Sequence, residues 1–497
     1  MLAVAFAQSG CLDSSDDSAP PTKSAVCGYL YEWASAWKFA LQPDPHAAYT
    51  YVVPKVTSEP IAYLISGPFP YAAWTSWTIY NNQLQPFSVA KDSAIRPDKG
   101  GANPFLVGTP VLSAKRSFKL LLLPRGTDTS TLAKSLRDIP ASNRLASPTS
   151  GKFFIIANRV YNAFPGYNRG GAAGPTKTPF PQVNAINYKT GSGVDCSQNN
   201  LLPSPKPPKD MPTTSPESPS PVAIELTDGT RLGIGPQGSQ RSEQGGKNAL
   251  RGAQFAPELD PDRLEFTRPP LLPGADVSAI PPADSCAGYL GGSTSITKIG
   301  VIRMPHVAHW FETGNLTPST KFSQEQTTFI SFTQYGSGVS VYDPGSPNTA
   351  SLGNEQLKVD SSGGTTVVVW PRSLTRTQQR QVFDYADRQG WAILRGGEQG
   401  PVTTANLLVR LKGASPSYAG DYSPTPKQPG VPCYFDDHSA AKRWSDVTGD
   451  KYVASGENIG AGAPQGVNCA LAQFLDGSCV KSLKAYIAQT GGSYTAR

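Results

Sequence analysis

The 497 residues include four histidines, His46, His306, His309 and His438. Two of them stand in Met304-Pro-His306-Val-Ala-His309-Trp-Phe-Glu312, a His-x-x-His followed by a carboxylate. On a helix that spacing puts both imidazoles on one face, where they could hold a metal ion with Glu312 as the only local third ligand. On a strand they point apart. Pro305 and the turn signal Thr313-Gly-Asn315 leave little room for a helix, so no metal or other cofactor is expected. Asp436-Asp437-His438 sets carboxylates beside an imidazole, the raw material of general acid–base work. Adjacent carboxylates diverge unless the backbone turns sharply, and such a cluster more often caps a helix, here one over Ser439 to Trp444. Gly233-Ile-Gly235-Pro-Gln-Gly238 fits Gly-x-Gly-x-x-Gly, but Pro236 and its polar neighbours leave no apolar helix to receive a pyrophosphate. Neither Gly-x-Ser-x-Gly nor Gly-x-x-x-x-Gly-Lys-Ser/Thr occurs. A glycosidase or lyase stays open, because its two carboxylates need not be neighbours in sequence.

Binding chemistry has a different signature. Trp74-Thr-Ser-Trp77-Thr-Ile-Tyr80 and Phe329-Ile-Ser-Phe332-Thr-Gln-Tyr335 share one pattern: aromatic, any, Ser, aromatic, Thr, any, Tyr. Side chains alternate across a sheet, so as strands these put Trp74, Ser76, Thr78 and Tyr80 on one face, and Phe329, Ser331, Thr333 and Tyr335 on its counterpart. Aromatic rings among hydroxyls suit the C–H face of a sugar, which makes Trp74, Tyr80, Phe329 and Tyr335 the candidate ligand-binding residues. The opposite face, with Trp77 and Ile79, is the better core face. Large aromatics are usually buried, and burial of both faces is the competing reading.

The elements that carry these residues repeat. Cys27-Gly-Tyr-Leu30 is answered by Cys286-Ala-Gly-Tyr-Leu290, Leu120 to Arg125 by Val367 to Arg372, and Gly151 to Arg159 by Gly390 to Arg395. The matches keep their order, which predicts one unit written twice. Segments 74–80, 118–123, 153–160, 329–335 and 365–370 are short, aromatic or β-branched, and bounded by Gly, Pro, Asn or Ser, as strands are. One helix per copy is expected, over Thr129 to Asp138 and over Ser373 to Arg388. The fold class is therefore mainly β: two tandem β-sandwich or jelly-roll-like domains with a disulfide-stapled C-terminal cap. The expected divisions are a signal remnant and tether over 1–25, a first repeat over 26–200 and a Pro/Ser-rich linker over 201–221. A hairpin with irregular connection then covers 222–279, the second repeat 280–415 and the Cys-rich cap 416–497. Val222 to Leu232 reads as the hairpin, turning at Thr-Asp-Gly, and Gly477 to Gln489 as a helix of the cap.

Composition supports this organisation. With 48 Gly and 47 Pro, about a fifth of the chain, against roughly an eighth in average usage, long helical bundles are excluded. Collagen is excluded too, since Gly has no period of three. The net charge of +7 is spread without any run of five like charges, unlike the basic stripe of a nucleic-acid binder. No stretch approaches the ~20 apolar residues of a membrane span. The start, Met1-Leu-Ala-Val-Ala-Phe-Ala-Gln-Ser-Gly-Cys11, resembles the end of a bacterial lipobox, with Gln8 where Leu usually stands, and implies export with a lipid on Cys11. Setting Cys11 aside leaves Cys27, Cys196, Cys286, Cys433, Cys469 and Cys479, an even set suited to disulfides in an oxidising compartment, with at least one bridge expected within 433–479.

Phe69-Pro-Tyr71 before a Ser-x-x-x-Tyr strand, the loop Pro97-Asp-Lys-Gly-Gly-Ala-Asn103-Pro-Phe105, Asn158-Arg-Val-Tyr161 and Pro181-Gln-Val-Asn184 together resemble a family of exported bacterial proteins carrying a domain of unknown function. The second copy's Phe329 to Tyr335 and Trp391 to Arg395 resemble that family's other half. The resemblance covers about residues 45 to 415 and implies paired jelly-roll-like domains without an established activity. The long Pro-rich insert and Cys-rich tail depart from the pattern.

The expected function is an exported, lipid-anchored binding or scaffold protein of the cell surface. Its partner would be a glycan or an envelope protein, with no nucleic acid and with the membrane touched only through the anchor. The rival is a polysaccharide-acting hydrolase or lyase using His306, His309, Glu312, Asp436 or Asp437. The sequence leans away from the enzyme.

Overall fold

The structure, a computed structural model, describes residues 25–33, 46–82, 86–167, 180–203, 205, 223–233, 263–264, 287–295, 297–305, 316–322, 329–335, 351–359, 364–371, 373–395, 404–412 and 464–489. It is mainly β. The first half contributes β1 (Leu30–Trp33), β2 (Ala47–Val52), β3 (Ile61–Pro68), β4 (Ala72–Asn81), β5 (Pro86–Lys91), β6 (Ser117–Pro124), β7 (Arg144–Ser147), β8 (Phe154–Ala163) and β9 (Gln182–Asn187). A hairpin of β10 (Ala223–Glu225) and β11 (Arg231–Gly233) follows, then β12 (Arg263–Leu264). The second half contributes β13 (Ala287–Ser295), β14 (Ile299–Pro305), β15 (Phe329–Tyr335), β16 (Ser351–Gly353), β17 (Gly364–Trp370), β18 (Ala392–Arg395), β19 (Thr404–Lys412) and β20 (Gln465–Cys469). Among the described residues the α-helices are α1 (Lys134–Arg137), α2 (Arg376–Arg388), α3 (Leu471–Leu475) and α4 (Ser478–Gln489).

The sheet orders show the repetition directly. The first half pairs β1-β2-β8-β4-β5 and β7-β6-β3-β9, and the second pairs β13-β19-β15-β16 and β12-β20-β14-β17-β18. With β2 set against β13, each strand from β2 to β9 has its counterpart from β13 to β20 in the same sheet position. Each half has one parallel pair, β6 with β7 and β17 with β18, and a parallel pair needs a crossover, supplied by α1 and α2. A residue-level match confirms the frame. The Thr75 N–H donates to Asp92 Oδ2 at 3.3 Å, and the Ile330 N–H to Asn354 Oδ1 at 3.3 Å. In each case the acceptor opens the 3-10 turn after the edge strand β5 or β16.

Two of the sequence matches, β4 with β15 and β6 with β17, therefore fall on equivalent strands. The other two do not. Gly151 to Arg159 runs into β8, whose counterpart is β19, while Gly390 to Arg395 runs into β18, the counterpart of β7. Cys27 to Leu30 leads into β1, whereas Ala287 to Leu290 begins β13, the counterpart of β2. A glycine ahead of a short buried strand looks alike wherever it occurs, so the matched letters reflect a shared local need rather than a shared position.

Each half packs its two sheets around an apolar core. In the first, Trp77, Ile79, Ile156, Leu120, Leu122, Ile65 and Val183 meet between the sheets; in the second, Ile330, Phe332, Val367, Val369, Leu394, Leu407 and Val409 do. The outer faces are covered too. Leu132, Leu136 and Ile139 lie over Leu121 and Leu123, and Val382, Ala386, Phe474 and Leu483 lie over Val301, Val368 and Trp370. Helix α2 begins with a capping box, in which Thr375 Oγ1 accepts from the Gln378 N–H at 3.3 Å and Gln378 Oε1 from the Thr375 N–H at 2.9 Å. The helix expected over Thr129 to Asp138 is shorter than the spacing suggests. Asp128 caps a 3-10 turn at Thr129–Thr131, and only Lys134–Arg137 is α-helical, because Ser and Thr so close to a carboxylate offer the backbone other partners.

The hairpin forms where expected, with the Leu226 N–H bonded to the Thr230 carbonyl, and it joins the first half through Thr227 N–H to the Leu201 carbonyl. Two disulfides close, Cys27–Cys196 and Cys469–Cys479. Cys11, Cys286 and Cys433 lie outside the described residues, as do the signal remnant and most of the linker. The tail is more than a cap: β20 enters the sheet between β12 and β14, and its disulfide ties α4 to that strand.

Candidate binding face between the two halves

Strand β4 shows why period-two alternation matters. Trp77 and Ile79 point into the first sandwich core, while Trp74 and Tyr80 join a second cluster on the far side with Tyr49, Tyr51, Tyr161, Ala157, Leu201, Leu226 and Phe329. Phe329 belongs to β15, so this outward face of the first half is covered by the outward face of the second. Trp74, Tyr80 and Phe329 are 1%, 2% and 0% exposed. Trp74, Tyr80 and Phe329 thus share one face, closed to solvent, and Tyr335 stands on the same strand as Phe329.

At the centre of that face is an arginine that no sequence motif singled out for binding. Arg159 on β8 is paired with Ser76 of β4 on one side and with Tyr49 of β2 on the other. Its guanidinium donates from Nη2 to Tyr80 Oη and lies 5.2 Å from the Tyr80 ring centroid and 5.9 Å from that of Tyr49. Tyr49 and Tyr161 share a hydroxyl–hydroxyl bond of 3.0 Å. Tyr161 sits edge-on to Trp74 at 5.4 Å and tilted against Phe329 at 5.0 Å. His46, the one histidine within the described residues, lies 6.2 Å from Phe329. A Cβ at Gly353 would come within 3.0 Å of its Nδ1, so a side chain there would require the imidazole to give way by a few tenths of an ångström.

The second half repeats the same rung. Arg410 on β19 pairs with Ser331 on β15 and with Tyr289 on β13. Hence Tyr49–Arg159–Ser76 and Tyr289–Arg410–Ser331 occupy equivalent positions, and the Tyr of Gly-Tyr-Leu290 answers Tyr49 rather than Tyr29. Arg159 and Arg410 are both buried. Beside Ser331, Thr333 Oγ1 and Ser351 Oγ lie 2.8 Å apart. Burying a guanidinium is costly unless aromatic faces and hydrogen bonds replace water. The visible signal was a charge in the middle of an apolar strand, Ile155-Ile-Ala-Asn-Arg159-Val-Tyr161 and Leu407-Leu-Val-Arg410-Leu.

The Asn103-Pro-Phe105 loop is built for shape. Asn103 Nδ2 donates to the Asp92 and Ile95 carbonyls at 2.7 and 2.8 Å, and its Oδ1 accepts from the Phe105 N–H at 2.8 Å. Arg116 likewise serves the backbone, donating to the carbonyls of Phe69, Val111 and Pro70 at 2.7–2.8 Å and stacking 3.7 Å over Tyr71. Desolvation pushes its pKa down to about 10. His306, His309, Glu312, Asp436 and Asp437 lie outside the described residues, so the metal and acid–base readings built on them rest on the sequence alone.

No family model matches the chain, and no curated protein does. Among solved structures, it is similar to an uncharacterized protein from Burkholderia cenocepacia, at 10% identity and a TM-score of 0.39 over 79% of each chain. It is also similar to the VPA0106 protein from Vibrio parahaemolyticus, at 12% identity and a TM-score of 0.36 over 76% of this chain and 86% of that one.

Proposed function

We propose that the protein is an exported, lipid-anchored binding protein of the bacterial cell envelope, built from two jelly-roll-like units, whose ligand is a glycan taken on the face between its two halves. Two closed disulfides speak for folding in an oxidising, non-cytoplasmic compartment. The observation that carries the ligand reading is the Tyr–Arg–Ser rung present in both halves. Aromatic rings offer a surface for the C–H face of a pyranose, and guanidinium and hydroxyl groups offer partners for its hydroxyls or a carboxylate. Trp74, Tyr80 and Phe329 are covered, so this reading requires the halves to part for a ligand to enter, and the buried guanidinium favours an acidic sugar over a neutral one.

A glycan array read with the whole chain tests this. Selective binding of uronate-containing glycans, lost in Arg159→Met with the fold intact, supports the reading; equal signal on neutral and acidic glycans sinks it.

A further inference from the structure

We infer that the loop following β5 is a membrane-docking element that inserts Leu106 and Val107 into an anionic lipid surface. This contact is separate from any acyl chain on Cys11 and does not rest on the glycan reading. Leu106 and Val107 are consecutive and 44% and 69% exposed, yet the loop around them is held in place. On one side, Phe105 is buried against Phe69 and Phe322 at centroid distances of 5.9 and 6.2 Å. On the other, Gly108 N–H donates to the Phe322 carbonyl, Phe322 N–H to the Thr109 carbonyl and Val111 N–H to the Thr320 carbonyl, at 2.8–3.0 Å. Two apolar side chains are thus presented to water on a braced tip, where a loose loop would fold them in.

What surrounds the tip identifies its partner. Lys321 pairs with Pro110, the Lys115 carbonyl accepts from the Ala102 N–H, and Lys99 follows Asp98, whose N–H binds the Ser117 carbonyl. All three lysines are exposed. Farther back, Asn143 Nδ2 bridges the backbone carbonyls of Arg96 and Lys119 at 2.8 Å, and both of these residues are exposed. Over residues 96–119 and 316–322 there are six Lys or Arg, including the buried Arg116, against the single carboxylate of Asp98. An exposed apolar tip on a loop rich in exposed cations matches a bilayer with anionic headgroups: the cations meet phosphate while the tip reaches the acyl boundary. An acidic protein could meet the same lysines and apolar pair, and absence of binding to the anionic vesicles is the outcome that would favour it.

Vesicle flotation decides the matter, using the full chain with Cys11→Ser so that no acyl chain contributes. Vesicles of phosphatidylcholine and phosphatidylglycerol in equal parts should bind the protein, and phosphatidylcholine alone should bind it far less. Leu106→Asp with Val107→Asp should weaken binding by about tenfold or more. Reversing Lys99, Lys115 and Lys321 to Glu should weaken it about fivefold per site, with the remainder lost at high salt. An unchanged thermal melt shows that each variant is folded. The proposal is overturned by absence of binding to the anionic vesicles, by binding that the aspartate pair leaves intact, or by binding indifferent to lipid charge.

Discussion

Arg116 and Tyr63 show how single buried polar groups are handled in opposite ways. Every arm of Arg116 meets a backbone carbonyl, so it acts as a bracket between the Phe69-Pro-Tyr71 step and the loop before β6. Lysine has one ammonium where arginine has a planar fork. We expect Arg116→Lys to lose about 3 kcal/mol in urea unfolding through carbonyls left unsatisfied; a loss near zero would show the bracket to be dispensable. The Tyr63 hydroxyl, by contrast, is buried without a hydrogen-bond partner among the described residues, and burial pushes its pKa well up from the ordinary phenol value of 10.0. Tyr29 shifts the same way, through burial and then the neighbouring Tyr31. In both, the folded phenol keeps a proton that the unfolded chain gives up, so their contribution is intact below pH 10.0 and fades as pH rises beyond it. Tyr63→Phe should hold or raise stability at neutral pH, by about 1 kcal/mol, and flatten the alkaline decline. Denaturant midpoints measured across the alkaline range check both parts.

At the scale of elements, the two disulfides among the described residues do unequal work. Cys27–Cys196 closes a separation of 169 residues and ties the chain's entry to the end of the first half, while Cys469–Cys479 closes 10 and ties β20 to α4. Loop-closure entropy then gives about 5 kcal/mol for the long bridge and about 3 kcal/mol for the short one. Replacing each pair by alanine and comparing unfolding free energies should return that order; the reverse order would place the main staple in the tail. The repeat also belongs to this scale. Matching strands by letters found β4 with β15 and β6 with β17, because aromatic and aliphatic runs ending in Pro are specific. It misplaced the other two, because short strands after glycine are common. Hydrogen-bond register resolved them, since Tyr49 and Tyr289 both stand opposite an arginine.

For the molecule as a whole, the decisive contact is Phe329 against Tyr161, where one half closes on the other. A single apolar cluster that includes residues of both halves should couple their unfolding. Calorimetry should therefore show one transition, and Phe329→Ala, which empties a fully buried site, should cost about 4 kcal/mol and split it into two. One unsplit transition in the variant would move the coupling elsewhere, with the chain segment 316–322 that pairs with the loop at Thr109 to Val111 the next place to test.

The amino-acid sequence by itself determined the β class, the duplication, the alternation of β4, the hairpin and the use of cysteine, because each follows from local periodicity, turn chemistry or counting. It also marked Trp74, Tyr80 and Phe329 as sharing one face. Only the tertiary structure decided what that face meets. Alternation tells which side chains lie together but not whether water, a helix or a second sheet covers them; that depends on how two distant halves pack. The same holds for Arg159 and Arg410: a lone charge in an apolar strand is visible in the letters, but its register opposite Tyr and Ser in both copies exists only once three strands far apart in sequence are hydrogen-bonded side by side.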